Sequence, residues 1–548
     1  MSSAITARPV IRTTRPPILL PSRLALSVPE FHRIPSATQS SRTVTAGRDY
    51  VPPPKNRISL YYYRFVTSES RVADPHPSGG TVNKAILTLD VGTSSIKAAL
   101  FQVGEQVPAW SHRQPLLGDG DALTLWESER WVAAMQSVCD QIDAIDSVAA
   151  IAMSGNGPTI VPVGIDGAPL HQALLWLNGA EVPQHGQPSF FLPKVAWLRQ
   201  EHPDVYESTW QFMTCPEYLG YLLCGEPHST SPGPEFDRYV WDDDGATAYG
   251  IEPAKLPHLV RPAEQVGQVT RKAAEMFGLP AGIPVFAGGP DFLMSLLGTA
   301  TTRAGRTCDR AGTSEGINHC MRVAVDSRGV RCLPHIISGL YNVAGVLSST
   351  GRIFEWFRRI SRQRSVGYER MLAEIESAGF ATEPLFFPSM HRGAAWEFSR
   401  GMFVDLRSDH GTAEMGRGVV HAIGYAVRQS IETLDEAGCR VTELTACGGQ
   451  ARNAVWNRMK ADITGLPVRC PAVIDAELTG NYCCALVGMG VYSSLVDASD
   501  ATVRLDAAFE PDSSRHQRYS DGYHYYLQAY DRYLAALQPV VEGDGSSA

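Results

Sequence analysis

Short apolar runs alternate along the chain with longer runs in which apolar residues recur every three to four positions. The first two short runs are Ala85 to Val91 and Lys97 to Val103, and a Gly-Thr-Ser-Ser turn separates them. Apolar runs of this length bounded by turn residues are typical of strands. The pair therefore predicts a β-hairpin of two buried strands.

Beyond Thr81 the strand-like and helix-like runs alternate, which predicts an α/β architecture. Strands are predicted over residues 148–153, 159–165, 285–291 and 444–447. Helices are predicted over residues 127–142, 272–277, 413–437, 452–463 and 515–534. Several of the strands end at glycine-rich or polar loops, which is where α/β proteins bind ligands.

The composition is that of a water-soluble globular protein, with 44% hydrophobic and 19% charged residues. A length of 548 residues favours several domains. No run approaches the ~18 apolar residues of a membrane span, so we expect none. The 11 cysteines include no Cys-x-x-Cys pair, which favours neither a zinc site nor a disulfide framework. We therefore expect a cytoplasmic protein.

The first 80 residues differ chemically from the rest of the chain. They carry eleven Lys and Arg against four Asp and Glu, and eleven of the 37 prolines. This predicts a disordered, basic, Pro/Ser-rich extension over residues 1–80. It is either a transit-like peptide or a tail upstream of the folded part, including a start codon assigned too early. The tail is favoured because no amphipathic helix is evident. The acidic remainder makes nucleic acid an improbable partner.

The turn of the first hairpin has the chemistry of a phosphate site. Backbone amides around Gly92, Thr93 and Ser94 would converge on an anion, and Asp90 would hold a hydrated Mg²⁺. Lys97 either adds a cation or, by the alternation of its strand, turns to solvent. An ordinary hairpin explains this turn equally well when it is taken alone. A second turn, Gly312-Thr313-Ser314, follows 220 residues later, and two such turns predict a cleft with one phosphate clamp on each wall.

Two further segments carry candidate chemistry. Gly448 and Gly449 separate a strand from a helix, where bare backbone lets a flat ring approach and a helix N-terminus favours negative charge. Asp291 follows two glycines and a proline at the end of an apolar strand. It either projects into the cleft as a general base or caps a helix beginning at Phe292.

In order along the chain, these segments resemble the FGGY family of carbohydrate kinases. Asp90-Val-Gly-Thr-Ser-Ser resembles the first phosphate loop of the family and Gly312-Thr313-Ser314 the second. Cys447 to Asp462 is similar to the adenosine segment, and Leu279 to Asp291 to the run that leads to the catalytic aspartate. The resemblance covers about Thr81 to Val541. No Gly-x₄-Gly-Lys-Ser/Thr motif of Walker-type kinases occurs.

The resemblance implies two actin-like (ribonuclease H-like) α/β domains with an ATP cleft between them. Residues 81–302 would form an N-terminal domain with the sugar site, the first phosphate loop and the catalytic aspartate. Residues 303–541 would form a C-terminal domain with the second phosphate loop and the adenosine site. The implied activity is ATP- and Mg²⁺-dependent phosphorylation of a small sugar or polyol, with a xylulose-like pentulose as the nearest guess. A homodimer is left open.

The resemblance also assigns roles to individual residues. Asp291 would be the catalytic base and Asp90 the metal-binding residue. The expected nucleotide-binding residues are Asp90, Gly92, Thr93, Ser94, Lys97, Gly312, Thr313, Ser314, Gly448, Gly449 and Asn453. The expected substrate-binding residues are Asn156, Trp176, Asn178 and Asp291.

The expected sugar site departs from the family pattern. Ser154-Gly-Asn156-Gly-Pro-Thr159 stands where many members have Gln-Met-His-Gly or Arg-Glu, and the segment around Trp176 and Asn178 lacks the usual Asp and Arg. The pentulose and glycerol fingerprints are therefore absent, although amides can still bind hydroxyls. Glu217 is expected to be structural. The alternatives are a catalytically weak ATP-binding module that senses a sugar, and an actin- or chaperone-like nucleotide hydrolase without a sugar pocket.

Overall fold

The computed structural model describes residues 84–116, 125–183, 188–377, 384–389, 398 and 400–543. The predicted extension over residues 1–80 lies outside the described residues. Among those described, no helix is both long and apolar enough to cross a bilayer.

In chain order the strands are β1 (Ala85–Val91), β2 (Ser95–Gln102), β3 (Trp110–Pro115), β4 (Leu125–Trp126), β5 (Val148–Gly155), β6 (Val161–Val163), β7 (Ala173–Leu174), β8 (Gln211–Met213), β9 (Ser229–Thr230), β10 (Leu259–Val260), β11 (Gln265–Gln268), β12 (Pro284–Pro290), β13 (Thr307–Ala311), β14 (Glu315–Met321), β15 (Arg331–Pro334), β16 (Tyr341–Leu347), β17 (Leu385–Phe387), β18 (Met402–Val404), β19 (Leu444–Cys447), β20 (Val468–Pro471) and β21 (Leu505–Phe509).

The helices are α1 (Glu129–Cys139), α2 (Leu192–Glu201), α3 (Pro203–Ser208), α4 (Cys215–Cys224), α5 (Asp237–Val240), α6 (Asp243–Tyr249), α7 (Arg271–Phe277), α8 (Asp291–Gly298), α9 (Thr350–Ile360), α10 (Tyr368–Ser377), α11 (Thr412–Glu436), α12 (Ala454–Thr464), α13 (Ala476–Gly488), α14 (Leu495–Thr502) and α15 (Ser513–Gly543).

Two large mixed sheets share one topology. The first has the order β3-β2-β1-β5-β12-β11, in which β1, β5 and β12 are parallel and the other pairings are antiparallel. The second contains β16-β14-β13-β19-β20-β21 with the same sequence of antiparallel and parallel pairings, and adds β15 at one edge. This repeated pattern, with helices packed on the sheets, is the predicted α/β fold of two actin-like halves.

The strongest periodic segments of the sequence form the predicted elements. The first hairpin is confirmed, with Asp90 directly opposite Lys97 across β1 and β2. The helix predicted over residues 413–437 is α11, and the strand predicted over 444–447 is β19. The strand predicted over 159–165 is shorter, because the ladder between β6 and β8 is only three residues long. The predicted domain boundary between residues 302 and 303 lies between α8 and β13 and stays a prediction.

Strand alternation decides which side chains of the first hairpin reach the centre of the molecule. In β1 and β2, residues such as Leu89 and Ala98 pack into the core around α1 and α4. Ile86 and Phe101 face the other way and pack against α13, with the rings of Phe101 and Tyr482 stacked at 4.4 Å. Asp90 and Lys97 belong to this second face by the period of two. The sequence did not decide the direction of the Lys97 side chain. In the structure it points toward α13 and away from solvent.

Helices α8 and α13 cross at glycines, so their backbones come into close contact. A Cβ atom added to Gly298 would lie 1.9 Å from the carbonyl oxygen of Ala476, and one added to Gly480 would lie 2.2 Å from that of Met294. Because α8 follows β12 of the first sheet and α13 follows β20 of the second, this crossing joins the two halves. It positions the helix N-termini that carry Asp291 and Glu477.

We expect Gly480→Ala to destabilise the protein although alanine is intrinsically the better helix former. The added methyl group has to push apart two backbones, and overpacking of this kind costs about 1–3 kcal/mol. Thermal unfolding should show a Tm several degrees lower for this variant. Gly179→Ala, at an exposed loop position where a Cβ meets nothing within 4 Å, is the control and should leave Tm unchanged. Equal Tm values for both variants would contradict the close crossing.

Candidate active site

A cavity of about 920 Å³ opens between the two sheets. Both Gly-Thr-Ser turns and the turn after β19 contribute to its wall. Of the residues expected to bind nucleotide or substrate, the following line it: Asp90, Gly92, Thr93, Ser94, Lys97, Asn156, Trp176, Asp291, Gly312, Thr313, Ser314, Gly448, Gly449 and Asn453. Asn178 does not belong to this lining. The structure thus brings together segments more than 300 residues apart in the chain.

Glu477, at the start of α13, is the carboxylate on which the charges of the cavity converge. Its Oε2 lies 3.4 Å from Lys97 Nζ of the first sheet, and its Oε1 lies 3.2 Å from Arg310 Nε of the second. Burial alone would raise the pKa of Glu477, but the two cations outweigh it and lower the pKa to about 2. Glu477 is therefore ionised and holds one cation from each sheet.

Asp90 lies deep in the cavity wall, with its side chain 2% exposed. It accepts a hydrogen bond of 2.9 Å from Ser154 Oγ and pairs with Lys97 at 3.2 Å. Burial raises the pKa of Asp90 to about 6, although Lys97 acts in the opposite direction. A buried carboxylate with a raised pKa gains from an additional cation nearby.

Asp291 is the first residue of α8 and is not the cap of a helix beginning at Phe292. Its Oδ2 accepts a hydrogen bond of 2.7 Å from Arg310 Nη2. The side chain is 20% exposed, and the residue lines the cavity. The carboxylate is thus fixed at the cavity wall and remains accessible from it.

Ion pairs join Asp90, Asp291, Asp475 and Glu477 to Lys97, Arg310 and Arg452. Four carboxylates face three cations, so the network has one uncompensated negative charge. This charge fits a divalent cation that arrives with bound phosphates. In the described part of the chain, no cluster of three or more His, Cys, Asp or Glu is arranged as a metal site. Such an ion would therefore be held by one or two carboxylates together with phosphate and water oxygens, as is usual for Mg²⁺.

The second phosphate turn is braced from behind by a buried triad. Lys460 of α12 pairs with Asp309 of β13 and, at 2.7 Å, with Glu315 of β14. These two strands flank the turn formed by residues 312–314. All three side chains are at most 1% exposed. The triad therefore ties the predicted adenosine helix to the predicted phosphate turn.

The turn after β19 lies directly against the second phosphate turn. Gly448 has a φ of 84°, and a Cβ there would lie 2.6 Å from the carbonyl oxygen of Ala311, so only glycine fits. Gln450 Nε2 donates to the carbonyl oxygen of Gly312 at 2.9 Å. Asn453 caps α12, since its side-chain oxygen accepts from the backbone N–H of Trp456 at 3.0 Å. Its role as a cap coexists with its place in the cavity wall.

The predicted sugar-binding residues already have partners within the protein. Trp176 Nε1 donates to Thr93 Oγ1 at 2.8 Å, which ties its loop to the first phosphate turn. Asn156 donates to the carbonyl oxygen of Val91 at 2.9 Å and accepts from Thr159 Oγ1 at 2.7 Å. Asn178 accepts from the backbone N–H of Ala180 at 2.7 Å and stabilises its own loop. Of these three residues, only Trp176 and Asn156 reach the cavity.

The cavity contains an aromatic region beside Asp291, formed by Phe190, Phe191, Phe236 and Phe292. Arg331 of β15 lies over the ring of Phe292, 5.9 Å from its centroid. Glu217 lines this region but is structural, as expected. It accepts from the backbone N–H groups of Thr214 and Thr230 and from Ser229 Oγ.

Sequence reasoning missed Arg310, Glu477 and Asp475. Arg310 gave a detectable signal, because it is a charged residue in a buried strand two positions before Gly312. The other two begin a helix, where acidic residues are common for reasons unrelated to function. Only the crossing of α8 and α13 brings them to the site.

Comparisons with known proteins agree with this geometry. Residues 180–298 match the N-terminal domain of the FGGY family of carbohydrate kinases, and residues 310–489 match its C-terminal domain. A xylulose kinase of Staphylococcus epidermidis is 24% identical over 484 residues, covering 82% of this chain and 97% of its own. An autoinducer-2 kinase of Escherichia coli is 24% identical over 488 residues, covering 80% and 92%. The xylulose kinase structure from Rhodospirillum rubrum has a TM-score of 0.68 at 22% identity, covering 83% of this chain and 99% of its own.

The buried triad generates a prediction about pH. Burial raises the pKa of Asp309 from its ordinary 3.8 to about 7, against the opposing charge of Lys460. Between about pH 4 and pH 7 the folded protein therefore binds more protons than the unfolded chain, and this contribution to stability is lost as the pH rises. Asn keeps an oxygen acceptor for Lys460 and carries no charge. We compare the free energy of unfolding of Asp309→Asn with that of the unmodified protein. The difference should shift in favour of the variant from pH 4 to pH 8, by on the order of 2 kcal/mol.

Chemical denaturation at the two pH values measures this difference. Asp143→Asn, at an exposed position outside the helices, serves as the control and should have the same effect at both. If Asp309→Asn also behaves identically at pH 4 and pH 8, Asp309 does not take up the extra proton.

Proposed function

The chain belongs to the FGGY family of carbohydrate kinases, and we propose that it transfers the γ-phosphoryl group of ATP to a hydroxyl of a pentulose similar to xylulose. The activity of a sugar kinase follows from the family. The pentulose is the finer proposal, supported by the relatives that are named xylulose kinase. The observation that carries the proposal is the convergence of both phosphate turns and Asp291 on one cavity.

Asp291 is the proposed general base. Phosphoryl transfer depends on positioning and on neutralising charge, with one carboxylate to accept the proton of the attacking hydroxyl. Asp291 is fixed by Arg310 at 2.7 Å and lines the cavity beside the aromatic region. That location lets a bound sugar place a hydroxyl against Asp291 while its carbon skeleton packs on apolar rings.

The two turns are the proposed phosphate clamps. Gly92, Thr93 and Ser94 would hold the nucleotide phosphates from one wall, and Gly312, Thr313 and Ser314 from the other. Lys97 adds a cation to the first clamp. Gly448, Gly449 and Asn453 would line the adenosine, where the absence of side chains at the two glycines leaves room for a flat ring.

Asp90 is the proposed residue for Mg²⁺, which when bound neutralises charge on the β- and γ-phosphates. The uncompensated negative charge of the ion-pair network supports this assignment. For the acceptor, Trp176 and Asn156 remain proposed contacts because they line the cavity. Asn178 is better assigned to the shape of its loop.

A catalytically weak sugar sensor is the second candidate. The observation that favours it is the ion pair between Arg310 and Asp291, which occupies one carboxylate oxygen of the proposed base. The two candidates differ in turnover, because a sensor binds sugar and nucleotide without consuming ATP.

We expect Asp291→Asn to lower the kcat of sugar-dependent ATP consumption by about 10²- to 10⁴-fold, the usual contribution of a general base. The amide keeps the shape of the side chain and accepts no proton. A coupled assay for ADP release with added sugar measures this change, and ADP binding by the variant confirms that it is folded. Undiminished turnover would exclude Asp291 as the base, and absence of turnover in the unmodified protein would favour the sensor.

The acceptor is tested with a panel of ketoses, aldonates and polyols. We expect the highest kcat/KM for a ketopentose, because the relatives that support the proposal are xylulose kinases. Phosphorylated product is measured by mass spectrometry. Preference for an acceptor of another class would replace the pentulose while leaving the kinase assignment intact.

A further inference from the structure

The hydrogen bonds that hold the guanidinium of Arg310 involve only some of its N–H donors. Nε donates to Glu477 at 3.2 Å and to Ser295 Oγ at 3.1 Å, and Nη2 donates to Asp291 at 2.7 Å. A guanidinium has five N–H donors. Within the described part of the chain, Nη1 has no hydrogen-bond partner. The side chain is 28% exposed and lines the cavity.

The location of Arg310 relates it to the reacting groups. It precedes the second phosphate turn by two residues and contacts the proposed base directly. A base must lie within about 3 Å of the acceptor hydroxyl, and that hydroxyl attacks phosphorus from about 3–3.5 Å. The transferring phosphoryl group would therefore lie two short contacts from Asp291. Arg310 contacts Asp291 from the strand that leads into the second Gly-Thr-Ser turn.

The positive charge of Arg310 adds to that of Lys97. The two cations come from different sheets and share Glu477, so they flank the same volume of the cavity. Burial would lower the pKa of Arg310, but Asp291, Glu477 and Asp90 raise it. Arg310 is thus a permanent cation, oriented by three contacts along one edge.

We propose that Arg310 binds the γ-phosphoryl group through its Nη1 edge while its Nη2 edge holds Asp291 in place. One side chain would then fix the distance between the base and the group to be transferred. The proposal uses the phosphoryl transfer already described and adds no covalent step. Binding of the γ-phosphoryl group by Nη1 does not depend on the role of Asp291. Only the positioning of the base by Nη2 rests on the proposed function of Asp291.

Affinity for ATP relative to ADP tests the proposal, because only ATP has the γ-phosphoryl group. The probes are Mg²⁺·ADP and the non-hydrolysable β,γ-imido analogue of ATP, titrated calorimetrically. We expect Arg310→Met to weaken binding of the analogue by about 10- to 100-fold, the usual effect of losing a charge-assisted hydrogen bond, and to change ADP binding less than about 3-fold. Arg310→Lys, which keeps the charge but loses the two-edged shape, should fall between Arg310→Met and the unmodified protein.

Arg469→Gln is the matched control. This arginine pairs with Glu443 at 2.9 Å and does not belong to the cavity lining, so both affinities should stay unchanged. Equal changes in analogue and ADP affinity for Arg310→Lys, including no change, would overturn the proposal and leave Arg310 a structural ion-pair partner. Thermal unfolding of both Arg310 variants shows whether Arg310→Met is folded.

Turnover gives the second measurement. We expect Arg310→Met to lower kcat with sugar by about 10²- to 10³-fold, as is typical for loss of one group that stabilises transition-state charge. The ratio of the affinities for the ATP analogue and ADP is measured without an acceptor, and its interpretation does not require Asp291 to be the base. If the unmodified protein phosphorylates no sugar but the affinity ratio responds to Arg310→Lys, the proposed function fails and Arg310 remains a phosphate-binding residue. A kcat that is unchanged in an active enzyme would contradict its role in catalysis.

Discussion

The active site depends on one buried carboxylate that pairs with a cation from each half of the molecule. Lys97 and Arg310 lie on different sheets, and both pair with Glu477. A buried charge without a partner costs several kcal/mol. Lys97 with Asp90 in the first half and Arg310 with Glu477 in the second are joined into one network, because Lys97 also pairs with Glu477 and Arg310 also pairs with Asp291. The cations that we propose to bind phosphate are thus the same groups that hold the cavity walls together.

The second constraint is steric. The crossing of α8 and α13 has no room for side chains at Gly298 or Gly480, and this fixes the N-termini of both helices at the cavity. Asp291 and Glu477 are thereby placed by backbone contacts. Polar contacts continue from there, since Asn481 of α13 donates to Ser154 Oγ, which in turn donates to Asp90. Packing and hydrogen bonding thus determine the same arrangement of carboxylates.

Local patterns in the sequence predicted most of the fold. The hairpin at Asp90 and Lys97, the long helix α11 and the strand β19 were predictable because periodicity and turn residues act over a few positions. The two Gly-Thr-Ser turns were visible for the same reason. Glu477 and Asp475 could not be assigned from such patterns, since their role arises from contacts between segments far apart. The proposed acceptor site was predictable only as a departure from the family pattern. Asn178 lies outside the cavity lining, whereas Phe292 and Arg331 line the cavity from other elements.

The position of α13 has a consequence for how the polypeptide can be divided. In sequence this helix belongs to the second half, yet Leu478, Tyr482 and Leu486 complete the apolar core on one face of the first sheet. A fragment that stopped after α8 would expose this face to water, and a fragment that started at β13 would present the bare apolar surface of α13. The two modules of the chain are thus not autonomous folding units, and recombination between relatives would have to exchange α13 together with the sheet that it covers.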